Sequence, residues 1–146
     1  MNRISEEEYF LGIAEWVAKR ATCSRDSVGC VLVSIDNKIL STGYNGVPKG
    51  HPHCTDTPCP GANYASGEGL DVCEATHAEQ NALLQCSDVD KIYACYTTKA
   101  PCLTCTKLLM NTSCVQIYTR KEYSEEAKQM WLKNPLSGRK FDVLNA

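Results

Sequence analysis

Two short stretches of this sequence hold side chains that could carry metal-assisted proton chemistry. One is His77-Ala78-Glu79 and the other is Pro101-Cys102-Leu103-Thr104-Cys105. Together they offer one imidazole, two thiols and one carboxylate that is not needed as a ligand. Three N/S ligands leave the fourth tetrahedral position of Zn²⁺ open to water, the arrangement of a catalytic rather than a structural zinc. Zinc lowers the pKa of such a water to about 7. Glu79, two residues beyond the ligand His77, is then placed to move protons between water and a substrate. Each stretch also has a plain structural reading: Thr76 to Glu79 fits a capping box with Thr at the N-cap and Glu at N3, and Pro101-Cys102 fits a helix start. The two readings are compatible. Helix N-termini aimed at a metal would favour the thiolate forms of Cys102 and Cys105.

Such ligands need rigid elements to bring them together. Ser5 and Glu8 fit a capping box, and Phe10, Ile13, Ala14, Val17 and Ala21 recur at helical spacing, so a first amphipathic helix is expected to about Ala21. The β-branched run at residues 28–35 predicts a buried strand, Asp36-Asn37 a hairpin turn, and residues 38–42 a second strand. Residues 43–75 are rich in Gly, Pro, His and Cys without periodicity, and a loop this long in a small domain is usually functional or held by metal. Beyond it the order is a helix at 77–86, a strand at 91–98, a helix at 101–111, a strand at 114–119, a helix capped by Ser124 to about 133, and a short strand at 141–144. Strands alternating with helices imply parallel pairing and right-handed crossovers. The expected fold class is therefore α/β: a three-layer α/β/α sandwich around a mixed five-stranded sheet, residues 1–146 forming one domain. The two motif helices would meet at one sheet edge, where ligands bind in such folds.

Composition narrows the function. Hydrophobic residues are 43% and charged residues 22%, which fits an ordinary globular domain. A net charge of −2 with no Lys/Arg cluster argues against a polynucleotide substrate, though not against a mononucleotide. Residues 1–10 are acidic with no apolar core, so no signal peptide is expected, and no apolar run is long enough to span a membrane. The expected location is the cytoplasm. Ten cysteines in such a chain point to metal and core use rather than disulfides.

H-x-E followed by P-C-x-x-C is the known signature of zinc nucleobase deaminases. Four segments carry a closer resemblance: Thr22-Cys23 followed by Val28-Gly29, Gly43-Tyr44-Asn45-Gly46-Val47-Pro48, His77-Ala78-Glu79-Gln80-Asn81-Ala82-Leu83, and the second cysteine motif. Over about residues 10–123 the chain resembles the deoxycytidylate (dCMP) deaminases of the cytidine deaminase superfamily, especially the compact bacterial and viral type. Free cytidine deaminases usually place Cys where His77 stands, and tRNA adenosine deaminases normally lack the Gly-Tyr-Asn-Gly loop.

The resemblance implies hydrolysis of dCMP to dUMP and ammonia, supplying dUMP for thymidylate synthesis. It implies that His77, Cys102 and Cys105 bind the catalytic zinc and that Glu79 is the proton shuttle. It further implies that the Ala78 backbone N–H holds the pyrimidine carbonyl, that Asn45 contacts the sugar, that Arg25 binds the 5′-phosphate, and that Tyr123 lies near base and sugar. Ser124 follows Tyr123 where many relatives carry Arg. Relatives of this kind suggest a homohexamer, a small-molecule nucleotide as partner, and Mg²⁺ with a regulatory nucleotide. A 5-modified dCMP or another cytosine or adenine nucleoside or nucleotide is the alternative substrate. A non-catalytic zinc-stapled binding module is the alternative of another class, and Glu79 argues against it.

Eight further cysteines remain. Cys30, Cys86, Cys95 and Cys114 lie in apolar segments and read as small core hydrophobes. Cys23, Cys54, Cys59 and Cys73 flank the hairpin and the long irregular segment, with His51 and His53 beside them. A second, structural zinc on these four thiols, with His53 in reserve, is expected to hold that loop; free thiols and disulfides are the other readings.

Overall fold

Every residue of the strand Gly29–Ser34 is buried, so both faces of the sheet around it must be covered. The computed structural model describes residues 2–22, 26–50 and 76–145. Among them the elements run α1 (Glu6–Ala18), β1 (Gly29–Ser34), β2 (Ile39–Tyr44), α2 (Ala78–Gln85), β3 (Ile92–Thr97), α3 (Leu103–Met110), β4 (Gln116–Thr119), α4 (Glu125–Leu132) and β5 (Lys140–Val143). The sheet has the order β2-β1-β3-β4-β5. β1 is antiparallel to both β2 and β3, whereas β3, β4 and β5 run parallel. The mixed five-stranded sheet and its parallel second half agree with the sequence expectation.

Alternation along the central strands builds the layers. Val31 and Val33 of β1 and Ala94 and Tyr96 of β3 face α1, where Phe10, Leu11 and Ala14 complete one core. Cys30, Leu32 and Cys95 face the other way, onto Ala78 and Ala82 of α2, Leu109 of α3 and Trp131 of α4. The result is the expected three-layer sandwich, with one of the described helices on one face and three on the other. Cys30, Cys95 and Cys114 are buried and Cys86 packs partly buried against the same core, as small hydrophobes do.

Local differences from the expectation have physical causes. Helix α1 stops at Ala18, and Arg20 and Ala21 continue only as turns bonded to Val17 and Ala18. Ser5 does cap it, accepting from the Glu8 N–H at 3.1 Å, but the Glu8 carboxylate is taken by Arg120. Thr76 is not the N-cap of α2. Its backbone pairs with Gly46 in an isolated bridge, at 2.7 and 3.0 Å, which moves the cap to His77 and the N3 position to Gln80. Cys102, not Pro101, is the boundary residue of α3.

Two glycines set how closely helices approach the sheet. A Cβ on Gly43 would run into the backbone of Ala78 and Ala82, and one on Gly29 into the backbone of Ala14 and Ala18. α2 is also hydrogen-bonded to β2, by Ser41 Oγ to the Ala82 carbonyl (2.7 Å) and by Asn81 Nδ2 to the Tyr44 carbonyl (2.8 Å).

Candidate metal and proton-transfer site

His77 and Cys102 are the N-cap residues of α2 and α3, and both have extended backbone that turns the chain into its helix. The two helix starts are brought side by side. His77 Nδ1 lies 3.4 Å from Cys102 Sγ and 3.3 Å from Cys105 Sγ. All three ligand atoms fall within 4.8 Å of one another. Tetrahedral zinc with ordinary Zn–N and Zn–S bonds puts N and S about 3.5 Å apart. The donor set and its His–Cys spacings therefore fit Zn²⁺.

Local sequence explains the geometry. The His77 backbone N–H donates to Gln80 Oε1 at 2.9 Å, which fixes the first turn of α2. Cys102 Sγ accepts from the Cys105 backbone N–H at 3.5 Å, so this thiolate doubles as the cap of α3. The Cys102 thiol is pushed down to about 4, first by the hydrogen bond from the Cys105 thiol and then by His77 and the Cys105 N–H, against the opposing effect of burial. That same bond is the first cause that drives the Cys105 thiol up, with burial and the Glu79 carboxylate adding to it. A divalent metal bound here would replace the thiol protons.

Glu79 is 4% exposed, in the first turn of α2. Burial raises its carboxyl above the usual value, and hydrogen bonding from Cys105, the nearby His77 and Thr97 offset part of that. Thr97 Oγ1, at the end of β3, donates to Glu79 Oε1 at 3.0 Å. A buried carboxyl poised between proton donors beside three candidate metal ligands can take up and give back a proton.

The other predicted residues are placed as follows. Ala78 is buried as the first residue of α2, a position whose N–H has no intrahelical acceptor. Asn45 is buried behind β2; its Oδ1 accepts from the Val28 N–H and its Nδ2 donates to the Asp26 carbonyl, both at 2.8 Å. Among the described residues one N–H and one lone pair of that amide have no partner. Tyr123 is about one-third exposed and lies under the Lys99 ammonium, 4.4 Å from the ring centre. Lys99 also pairs with Asp26 at 2.8 Å. Arg25, Cys23, Cys54, Cys59, Cys73, His51 and His53 lie outside the described residues.

Thr97, Lys99 and Asp26 did not stand out in the sequence. A signal existed for two of them. Thr97 is a hydroxyl closing an otherwise apolar strand, and Lys99 sits in the short turn that leads into the cysteine motif.

Comparison with known proteins agrees with this geometry. The family model described as the cytidine and deoxycytidylate deaminase zinc-binding region matches residues 4–121. The deoxycytidylate deaminase of Mycobacterium phage D29 is 41% identical over 130 residues, covering 84% of this chain and 99% of that protein. The deoxycytidylate deaminase of Schizosaccharomyces pombe is 37% identical over 129 residues, 86% of this chain but only 40% of the yeast protein. Among solved structures, the dCMP deaminase of cyanophage S-TIM5 in complex with dCMP and dUMP superposes with a TM-score of 0.73 at 25% identity, over 99% of this chain and 100% of that one.

Proposed function

The chain belongs to the cytidine and deoxycytidylate deaminase family, and we propose that it hydrolyses dCMP to dUMP and ammonia. The observation that carries this reading is the cluster of His77 Nδ1, Cys102 Sγ and Cys105 Sγ at zinc-ligand spacing, with the buried Glu79 carboxyl against it. The named activity of the phage relatives supplies the substrate.

His77, Cys102 and Cys105 hold the zinc, which when bound supplies a Lewis acid that makes water nucleophilic near neutral pH. The chain's own groups do the rest. Glu79 takes one proton from the attacking water and gives it to the pyrimidine N3, then takes the second from the new C4 hydroxyl and gives it to the departing amine, so that C4 gains oxygen and loses NH₃. The Ala78 N–H, directed out of the first turn of α2, holds the ring carbonyl. Asn45, with its remaining N–H and lone pair, contacts the sugar. Tyr123 borders base and sugar, and Arg25 binds the 5′-phosphate, for which its planar fork of donors is suited.

In this reading residues 1–146 act as one domain, in the cytoplasm, as a homohexamer that supplies thymidylate synthesis. Cys23, Cys54, Cys59 and Cys73, with His53 in reserve, form a second, structural zinc site, and Mg²⁺ accompanies a regulatory nucleotide. Among the described residues no helix is long and apolar enough to cross a membrane.

The test is ammonia release from dCMP, 5-methyl-dCMP, deoxycytidine and an adenosine-bearing RNA stem-loop by the purified zinc protein. dCMP is expected to be the best substrate. Glu79→Ala should keep zinc and fold yet lose about three or more orders of magnitude in kcat, because the shuttle acts in several steps. Activity within tenfold of the parent would remove Glu79 from this role.

A further inference from the structure

Thr97 is fully buried at the last position of β3, whose neighbouring residues Ala94, Cys95 and Tyr96 are buried and largely apolar. A valine would fill the same volume without a polar atom to satisfy. A buried hydroxyl is costly unless it is hydrogen-bonded, so the bonds it makes explain its presence. Its Oγ1 lies 3.0 Å from Glu79 Oε1 and 2.8 Å from the carbonyl oxygen of Lys99.

A hydroxyl carries one proton and two lone pairs. It therefore serves these two oxygens in turn. When Glu79 is a carboxylate, the hydroxyl donates to it. When Glu79 has taken a proton, the hydroxyl turns its own proton to the Lys99 carbonyl and accepts from the carboxylic acid. The carboxyl keeps one partner at one position through both halves of a proton relay, and only a hydrogen atom rotates. A main-chain N–H, which only donates, or a carbonyl, which only accepts, would favour one protonation state over the other. When Glu79 carries the proton, Thr97 also ties the end of β3 to Lys99, three residues before Cys102.

We propose that Thr97 is a positioning residue for Glu79, holding its carboxyl in a single place through both proton transfers of the deamination; this rests on the function proposed above. Steady-state dCMP deamination, zinc content and melting temperature of Thr97→Val, Thr97→Ser, Glu79→Ala and Thr97→Val/Glu79→Ala test it. Loss of one hydrogen bond to a charged group predicts that Thr97→Val falls about ten- to a hundredfold in kcat with KM within about twofold and zinc content unchanged. Thr97→Ser, which restores the hydroxyl, should return to within about threefold of the parent. In the Glu79→Ala background, Thr97→Val should lower neither the residual rate nor, to the same extent as in the parent, the melting temperature of the metal-free protein, because there is no carboxyl left to hold. Parental kcat in Thr97→Val, an equal loss in the Glu79→Ala background, or a loss confined to KM or zinc content would overturn the proposal. If the parent does not deaminate dCMP, or Glu79→Ala still does, it is the functional reading that fails. The melting-temperature cycle then still reports whether Thr97 and Glu79 are coupled.

Discussion

At the scale of single residues, the site draws its chemistry from polar groups set into an apolar interior. Cys102 Sγ has three donors around it, the Cys105 thiol, His77 and the Cys105 backbone N–H, and these hold its thiol at about 4 although it is half-buried. A depressed thiol pKa means that the thiolate is complete at every pH well above that value. In metal-free protein, alkylation of Cys102 by iodoacetamide should therefore run at nearly the same rate at pH 6 and pH 8, read by peptide mapping. An ordinary thiol, with a pKa of about 8.5, would slow by roughly a hundredfold over that range. Cys30, Cys95 and Cys114, all buried and all pushed up, should stay unmodified. A Cys102 rate that rises steeply with pH would mean that the three donors do not stabilise its charge. His77, Glu79, Cys102 and Cys105 were legible in the sequence because each motif is local, and ligand types at fixed spacing on a helix start carry their own geometry. Thr97 was not legible as a partner of Glu79. The pairing depends on β3 ending beside the first turn of α2, and the two residues are 18 positions apart.

At the scale of elements, the position of α2 decides whether the site exists. This helix presents His77 and Glu79, and it rests on β2 through Gly43 with no side chain between them. α1 rests on β1 through Gly29 in the same way, but it carries none of His77, Glu79, Cys102 and Cys105. The obstructing atoms are backbone in both cases, so neither contact can yield by a rotamer change. Gly43→Ala and Gly29→Ala should each cost about 3 kcal/mol or more in thermal or urea unfolding, at the upper end of overpacking effects. The two should differ in function. Gly43→Ala shifts α2 and should reduce zinc retention and kcat as well as stability. Gly29→Ala, measured at a temperature where it is folded, should keep zinc and most of its activity. Equal activity losses at matched stability would show that α2 tolerates displacement. Helix and strand identities were readable from periodicity and from the β-branched run of β1, since burial selects those patterns directly. The close approaches were not, because a glycine inside a strand pattern says only that something comes near, not which helix. The N-cap of α2 was misplaced by one residue for a related reason: Thr76 is the better capping type, but pairing with Gly46 takes up its backbone.

At the scale of the whole molecule, the two helical layers are joined across the sheet, and one long-range cluster fastens the ends of the chain. Arg120, just beyond β4, makes a forked contact with Glu8 of α1, Nη1 to Oε1 at 2.8 Å and Nη2 to Oε2 at 2.7 Å. It also reaches Glu15 at 3.2 Å and the Leu144 carbonyl, beyond β5, at 3.0 Å. The guanidinium is mostly buried, and its Nε lacks a partner among the described residues. Its other donors are the more valuable for that. The sequence could show Glu8 only as a cap residue, because its true partner is 112 positions away. The order β2-β1-β3, with β1 antiparallel to both neighbours, was hidden for the same reason: the hairpin and the parallel half were each local patterns, but their junction is not. The cluster has a pH signature. Hydrogen bonding to Arg120 holds the Glu8 carboxyl below its ordinary value of 4.5. A carboxyl whose folded pKa is depressed stabilises the fold above its unfolded pKa and loses that contribution as pH falls through the folded one. Glu8→Gln should therefore melt lower than the parent at pH 7 by an amount that stays constant down to about pH 5 and shrinks below that ordinary value. Because both proteins share every other titrating group, the difference between their melting temperatures isolates this one. The Glu8 side chain is solvent-accessible, so added salt should narrow the gap at pH 7 as well. A gap that is unchanged at pH 3, or that widens on acidification, would mean that Glu8 acts through its packing on α1 and not through its charge on Arg120.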